Sequence, residues 1–289
     1  PEYAEAAAAF YQRRFGVDLD PAKEFIPLLG AKEGIAHICW ALLDAGDLAL
    51  VPDPGYPVYA GGSILVGAEV LYLNLRPEKG FLPDLDELSE EEAQRAKVLF
   101  LCYPNNPTTA VVEDDFFERV VAFAKKYKVA VIHDNAYSEL TYDGYVAPSF
   151  LSVPGAKDVG VEFFSFSKPF NMTGWRIGFA VGNHDILSHL WRLKTNLDSG
   201  MFDALQRTGA FILNNPWDFV HEMCAVYRRR RDLLAEALVS VGMDVPKPKG
   251  TVYMWVPVPA GYTSASFSEH VLDQAGVVVT PGPGYGPAG

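Results

Sequence analysis

Cysteine is scarce in this chain, with three among 289 residues: Cys39, Cys102 and Cys224. They lie far apart, show no metal-ligand spacing and sit among apolar neighbours, so we expect buried free thiols and no metal site. A reducing cytoplasm fits that usage. Positive charge is also short. Lys and Arg number 24 against 36 Asp and Glu, which leaves a formal charge of −12. A nucleic-acid binder carries the opposite balance, so no nucleic-acid partner is expected. No apolar run approaches the roughly 18 residues that span a bilayer, so no membrane partner is expected either. The opening "PEYAEAAAAFYQRRFG" lacks the basic start and apolar core of a signal peptide and reads as an amphipathic helix. Internal repeats and low-complexity tracts are missing too.

What remains is an ordinary globular composition, 49% hydrophobic and 21% charged, long enough for one large domain and a smaller one. "AKEGIAHICWALLDA" has helical spacing and stops at Gly46. Short apolar strands follow: "DLALVP", "AEVLYLNL" and "KVLFLCYP". "EDDFFERVVAFAKKYK" has an acidic first turn and a basic last turn, which suits the helix dipole. It runs into "VAVIHD", whose continuous apolar character predicts a strand covered on both faces. "GVEFFSFS" and "IGFAVG" are further strands. Helices are expected at 184–197, 203–214 and 217–241, then strand "TVYMWVPV", helix "SASFSEHVLDQAG" and strand "VVVTPG". This alternation predicts an α/β protein with a mostly parallel central sheet and helices on both faces. The arginines of "YRRRRD" are expected on a solvated helix face with ion pairs.

In open parallel sheets, ligands bind beyond the carboxyl ends of the strands. Those ends collect Asp53-Pro54-Gly55-Tyr56-Pro57, Tyr103-Pro104-Asn105-Asn106-Pro107-Thr108, Asp134-Asn135-Ala136-Tyr137 and Ser165-Phe166-Ser167-Lys168. Together they offer an aromatic face, an amide, a carboxylate, a phenol, hydroxyls and an amine, with the Arg176 guanidinium close behind. That inventory suits an aromatic aldehyde phosphate. A lysine forms a Schiff base with an aldehyde, a carboxylate keeps a pyridine nitrogen protonated, and hydroxyls, a guanidinium and a helix N-terminus hold a phosphate. Lys32 and the amides near Gly30 and Ala31 open a helix where such a phosphate would dock. His37 and His133 flank apolar runs and read as core or supporting residues. "GPGYG" at 282–286 is not followed by a lysine and reads as a mobile loop near a substrate entrance.

Four motifs in order, "DPGYPVY", "YPNNPT", "HDNAYSE" and "SFSKPFNMTGWRIG", together with "GAKEGI", resemble the class I/II pyridoxal-phosphate-dependent aminotransferases of fold type I. The wording is most like the LL-diaminopimelate aminotransferase group, and the resemblance covers essentially the whole chain. It implies pyridoxal 5'-phosphate as cofactor and transfer of an amino group from an amino acid to a 2-oxo acid such as 2-oxoglutarate. LL-diaminopimelate, alanine or aspartate is the implied donor. Lys168 would form the internal aldimine and move the proton. Asp134 would pair with the pyridinium nitrogen, Asn106 and Tyr137 with the ring oxygen, and Tyr56 would stack on the ring. Ser165, Ser167 and Arg176, with the amides of Ala31 and Lys32, would hold the phosphate. A homodimer is implied, with Asn196–Phe202 reaching towards the partner's site.

The resemblance also divides the chain. Residues 1–16 would belong to an N-terminal small-domain segment, 17–215 to the large cofactor-binding domain, and 216–289 to an incomplete small α+β domain. The family's chains are longer at both ends, so a piece of a longer enzyme with little activity of its own is expected. The arginine that clamps the substrate carboxylate has no counterpart, since no residue from Asp232 to Gly289 is Arg. Two other readings stand beside the transaminase: a carbon–sulfur β-lyase of the same fold, and a non-catalytic cofactor-binding module.

Overall fold

The computed structural model describes residues 1–289. Seven strands form one mixed sheet: β1 (Phe25–Leu28), β2 (Leu48–Asp53), β3 (Glu69–Asn74), β4 (Ala96–Leu101), β5 (Ala130–Asp134), β6 (Gly160–Ser165) and β7 (Gly178–Gly182). Their order is β1-β7-β6-β5-β4-β2-β3. The pairs from β3 through β6 are parallel, and β7 is antiparallel to both β6 and β1. Every residue of β2 and of β6 is buried, as near-continuous apolar runs require when both faces are covered.

Helices cover the two faces. On one lie α1 (Glu2–Phe15), α5 (Phe116–Tyr127) and α7 (Asp203–Asn214); on the other lie α2 (Ala31–Leu42), α3 (Val58–Leu65) and α6 (His184–Leu197). A short α4 (Glu90–Arg95) precedes β4, and α8 (Asp218–Ser240) and α9 (Ser264–Ala275) complete the set. Local chemistry explains the ends. Helix α1 begins with Glu2 and Glu5, ends with Arg13 and Arg14, and is closed by Gly16 in the left-handed conformation. Its Tyr3, Phe10 and Tyr11 pack into the first face of the sheet.

Topology explains the site. Strand β3 lies on one side of β2 and β4 on the other, so the connections part between β2 and β4. The loops after these two strands flank that switch point, where open α/β sheets bind ligands. Because β7 is antiparallel to β6, its first residue lies at the same edge as the last residue of β6: Gly178 pairs with Ser165. This returns Arg176 to the edge that Lys168 has just left. Strand β1 is antiparallel to β7, so its end at Leu28 also lies there, and the chain enters α2 from that edge.

Two expected strands are not formed. Residues 253–259 and 276–281 carry neither helix nor strand, and the only pairing nearby is an isolated bridge from Gly250 to Thr141. A strand needs a partner for its backbone groups, and alternation in "TVYMWVPV" says nothing about whether one is present. The arginine run also differs from expectation. Arg228, Arg229 and Arg230 are exposed, but Arg231 is buried and bonds Asp143 at 2.6 Å, Asp232 at 2.8 Å and the carbonyl of Pro248 at 2.7 Å. The cysteines are free; Cys39 and Cys102 are buried and Cys224 half-buried.

Candidate active site

A cavity of about 450 Å³ opens at the carboxyl edge of the sheet. All ten residues expected from the sequence line it: Ala31, Lys32, Tyr56, Asn106, Asp134, Tyr137, Ser165, Ser167, Lys168 and Arg176. They come from six separate stretches, and the fold alone brings them together. Ile35, Ala136, Thr173 and Tyr253 complete the wall.

Asp134 ends β5 and is 6% exposed. Its Oδ2 accepts the phenol hydrogen of Tyr59 at 2.9 Å, while its Oδ1 is buried without a partner. Burial pushes its pKa up to about 6, and the Tyr59 hydrogen bond opposes that rise. Tyr59 is itself fixed, with no exposed surface and a ring stacked on Phe100 at 5.1 Å. Asn106 is the second orphan. Its Oδ1 is buried and unpartnered, on a loop that Asn105 organises by accepting the Thr108 N–H at 2.9 Å.

Tyr137 meets the hydroxyl of Tyr253 at 2.8 Å. Burial holds the Tyr137 phenol far above the ordinary range, and the neighbouring Tyr253 adds to this. Tyr56 is pushed up to about 12, first by burial and then by the charge of Asp134. The Lys32 ammonium stands 5.7 Å from the Tyr56 ring centroid. Lys168 is half-buried on the cavity wall.

The other end of the cavity is built for an anion. The residue that precedes α2 is Gly30, whose φ is 83° and which offers no side-chain cap, so the first amides of the helix are open. Arg176, in the left-handed conformation, donates to the carbonyls of Leu29 at 3.1 Å and Thr173 at 2.9 Å. These bonds aim the guanidinium across the N-terminus of α2. A Cβ at Gly30 would displace the Arg176 guanidinium. Ser165 Oγ accepts the Ser167 N–H at 3.2 Å, which shapes the loop before Lys168.

The donor set fits one kind of occupant: a flat ring bearing an N–H for Asp134 Oδ1, a polar substituent for Asn106 and Tyr137, and a phosphate for α2, Lys32 and Arg176. Two buried acceptors without partners are a cost to a fold unless something else satisfies them.

The family model "Aminotransferase class I and II" matches residues 1–287. This chain belongs to that family. Members use pyridoxal phosphate and act on amino and 2-oxo acids, and this aminotransferase moves amino groups between them. It is 54% identical over 284 residues to the LL-diaminopimelate aminotransferase of Moorella thermoacetica, covering 98% of this chain and 73% of the relative. It is equally 54% identical over 289 residues to that of Desulforudis audaxviator, covering 100% and 74%. Among solved structures, substrate-bound BacF of Bacillus subtilis superposes with a TM-score of 0.96 at 40% identity, over 99% of this chain and 73% of that one.

Two residues that support the cavity were not singled out in the sequence. Tyr59 is the second residue of α3, just beyond Tyr56 in the same "DPGYPVY" motif, so its place in that motif was the one signal for it. Tyr253 had none, since its position depends on an unpaired segment folding back over Tyr137. The "GPGYG" segment forms a short 3₁₀ turn at Gly282–Tyr285. It is tied to the loop after β2: Gly55 N–H donates to the Tyr285 carbonyl at 2.8 Å, and Ala288 N–H to the Asp53 carboxylate at 3.1 Å.

Proposed function

We propose that this chain binds pyridoxal 5'-phosphate in the cavity and transfers an amino group from LL-diaminopimelate to a 2-oxo acid, 2-oxoglutarate being the expected acceptor. The observation that carries the reading is the pair of buried, unpartnered acceptors, Asp134 Oδ1 and Asn106 Oδ1, on two residues that line one cavity with an open helix N-terminus. The relatives at 54% identity support the donor.

When bound, pyridoxal phosphate supplies a carbonyl that takes up the amino group and a ring that accepts the electron pair from the substrate Cα. Each side chain then has one task. Asp134 would hold a proton on the ring nitrogen, with Tyr59 keeping the carboxylate ionised from the other side. Asn106 and Tyr137 would orient the ring through its oxygen. Tyr56 would cover the ring and exclude water. Ser165, Ser167, Arg176 and the amides of Ala31 and Lys32 would take the phosphate. Lys168 would hold the carbonyl carbon through its amine and, when that amine is free, would carry the proton that leaves Cα.

A homodimer in the cytoplasm is the expected setting, with Asn196–Phe202 towards the partner. The division at 1–16, 17–215 and 216–289 belongs to the same proposal. Glutamate formed from LL-diaminopimelate and 2-oxoglutarate tests the reaction. Turnover that needs the acceptor supports the proposal. Pyruvate and ammonia released from a sulfur-bearing amino acid without an acceptor would instead show a β-lyase.

A further inference from the structure

His133 and Glu162 stand opposite each other on β5 and β6, and neither has exposed surface. Residues alternate across a sheet, so His133 points away from the cavity while Asp134, the next residue, points into it. The His133 ring packs against Phe117, on the face covered by α5. Its Nδ1 lies 2.8 Å from Glu162 Oε1, and its Nε2 accepts the Tyr103 N–H at 3.3 Å. A backbone N–H only donates, so Nε2 carries the lone pair and Nδ1 the hydrogen.

Glu162 enforces that choice. Its carboxylate also accepts the Phe150 N–H at 2.6 Å, the Ser149 hydroxyl at 2.8 Å and the Asn135 amide at 3.3 Å. The Ser149 oxygen accepts from Leu151 N–H at 3.1 Å, which directs its hydrogen to Glu162. Four donors converge on one buried carboxylate, the arrangement that makes an ionised group tolerable without solvent. Such an acceptor can only receive, so the imidazole must present Nδ1–H to it.

The consequence reaches the cavity through two backbones. Tyr103 begins the loop that carries Asn106, and His133 is bonded directly to Asp134. One imidazole therefore touches the roots of both orphan acceptors. We propose that His133 and Glu162 are positioning residues: Glu162 locks the Nδ1–H imidazole, which holds the Asn106 loop at a fixed height against Asp134. This rests on the cofactor reading above.

Two substitutions separate the arms. His133→Asn keeps an N–H near the place of Nδ1 and leaves nothing for Tyr103. His133→Gln sets an amide oxygen near the place of Nε2 and gives up the Nδ1–H. Titration with pyridoxal phosphate should show affinity about tenfold weaker in the asparagine variant, with a shifted absorbance band, and within about threefold of the parent in the glutamine variant. Equal losses in both folded variants, a larger loss with glutamine, or no loss in either would overturn the proposal. Imidazole ¹⁵N NMR of the parent, without cofactor, gives a second reading that needs no variant. A hydrogen on Nδ1 and none on Nε2 is expected, and a neutral ring with its hydrogen on Nε2 overturns the lock. If the parent binds no cofactor, the proposed function fails while the tautomer is still read.

Discussion

Tyr59 donates its phenol hydrogen to Oδ2 of Asp134 at 2.9 Å and leaves Oδ1 of the same carboxylate without a partner. Tyr59→Phe keeps the ring stacked on Phe100 and removes only that donor. A hydrogen bond to a charged group contributes about 1.5–3 kcal/mol, so Asp134 should become harder to ionise. Pyridoxal phosphate affinity should fall about tenfold at pH 6 and less at pH 8, where the carboxylate ionises even without help. Equal losses at both pH values would show that Tyr59 does not act through the charge of Asp134.

Asp134 also makes a prediction about stability without cofactor. Burial raises its pKa from 3.8 to about 6, so between those values the folded chain holds a proton that the unfolded chain has lost. Stability contributed by this group is complete below about pH 4 and falls as pH rises through about 6. The difference amounts to about 3 kcal/mol at 1.36 kcal/mol per pH unit. Denaturant titrations of the parent and Asp134→Asn should therefore separate across pH 4–7, with the parent losing stability relative to the variant. Parallel curves would contradict the burial argument.

Gly30 serves the anion end. A side chain there meets the Arg176 guanidinium, and the φ of 83° is itself unfavourable for alanine. Gly30→Ala should push Arg176 away from the N-terminus of α2. Comparing pyridoxal with pyridoxal phosphate isolates this end. The advantage of the phosphate form should shrink about tenfold or more, as expected for loss of a charge-assisted bond, with pyridoxal itself little affected. An unchanged ratio would remove Arg176 and α2 from phosphate binding.

Arg231 gives a contrasting case. It joins α8 to Asp143 and to the carbonyl of Pro248 while nearly all of it is buried. Arg231→Ala leaves the buried Pro248 carbonyl without its donor and opens a void, and should destabilise the chain by about 2 kcal/mol while cofactor affinity persists below the new melting point. Thermal melts and cofactor titration at low temperature check both halves.

The lining of the cavity was legible in the sequence because most of its residues follow strands in recognisable short loops. Lys168, Asp134 and Asn106 each sit within a motif whose spacing is fixed by a strand end. Sheet order was not legible. Nothing in "FIPL" at 25–28 announced β1, since four residues with a proline carry little alternation, and only pairing with β7 makes it a strand. The expected strands at 251–258 and 277–282 failed for the opposite reason, since a good pattern found no partner. Tyr253, Tyr59 and Glu162 stayed hidden because their roles arise from cross-chain contacts: Glu162 looked like one charge in an apolar run, and only its four converging donors explain it.

Lys168 in an assembled cofactor site should form a bond to pyridoxal phosphate that changes its absorbance. Absorbance spectra of the parent and Lys168→Ala, each with added pyridoxal phosphate, test it most directly. The parent should show a band distinct from free cofactor, discharged by an amino-acid donor and lost in the variant. Identical spectra, both matching free cofactor, would contradict it.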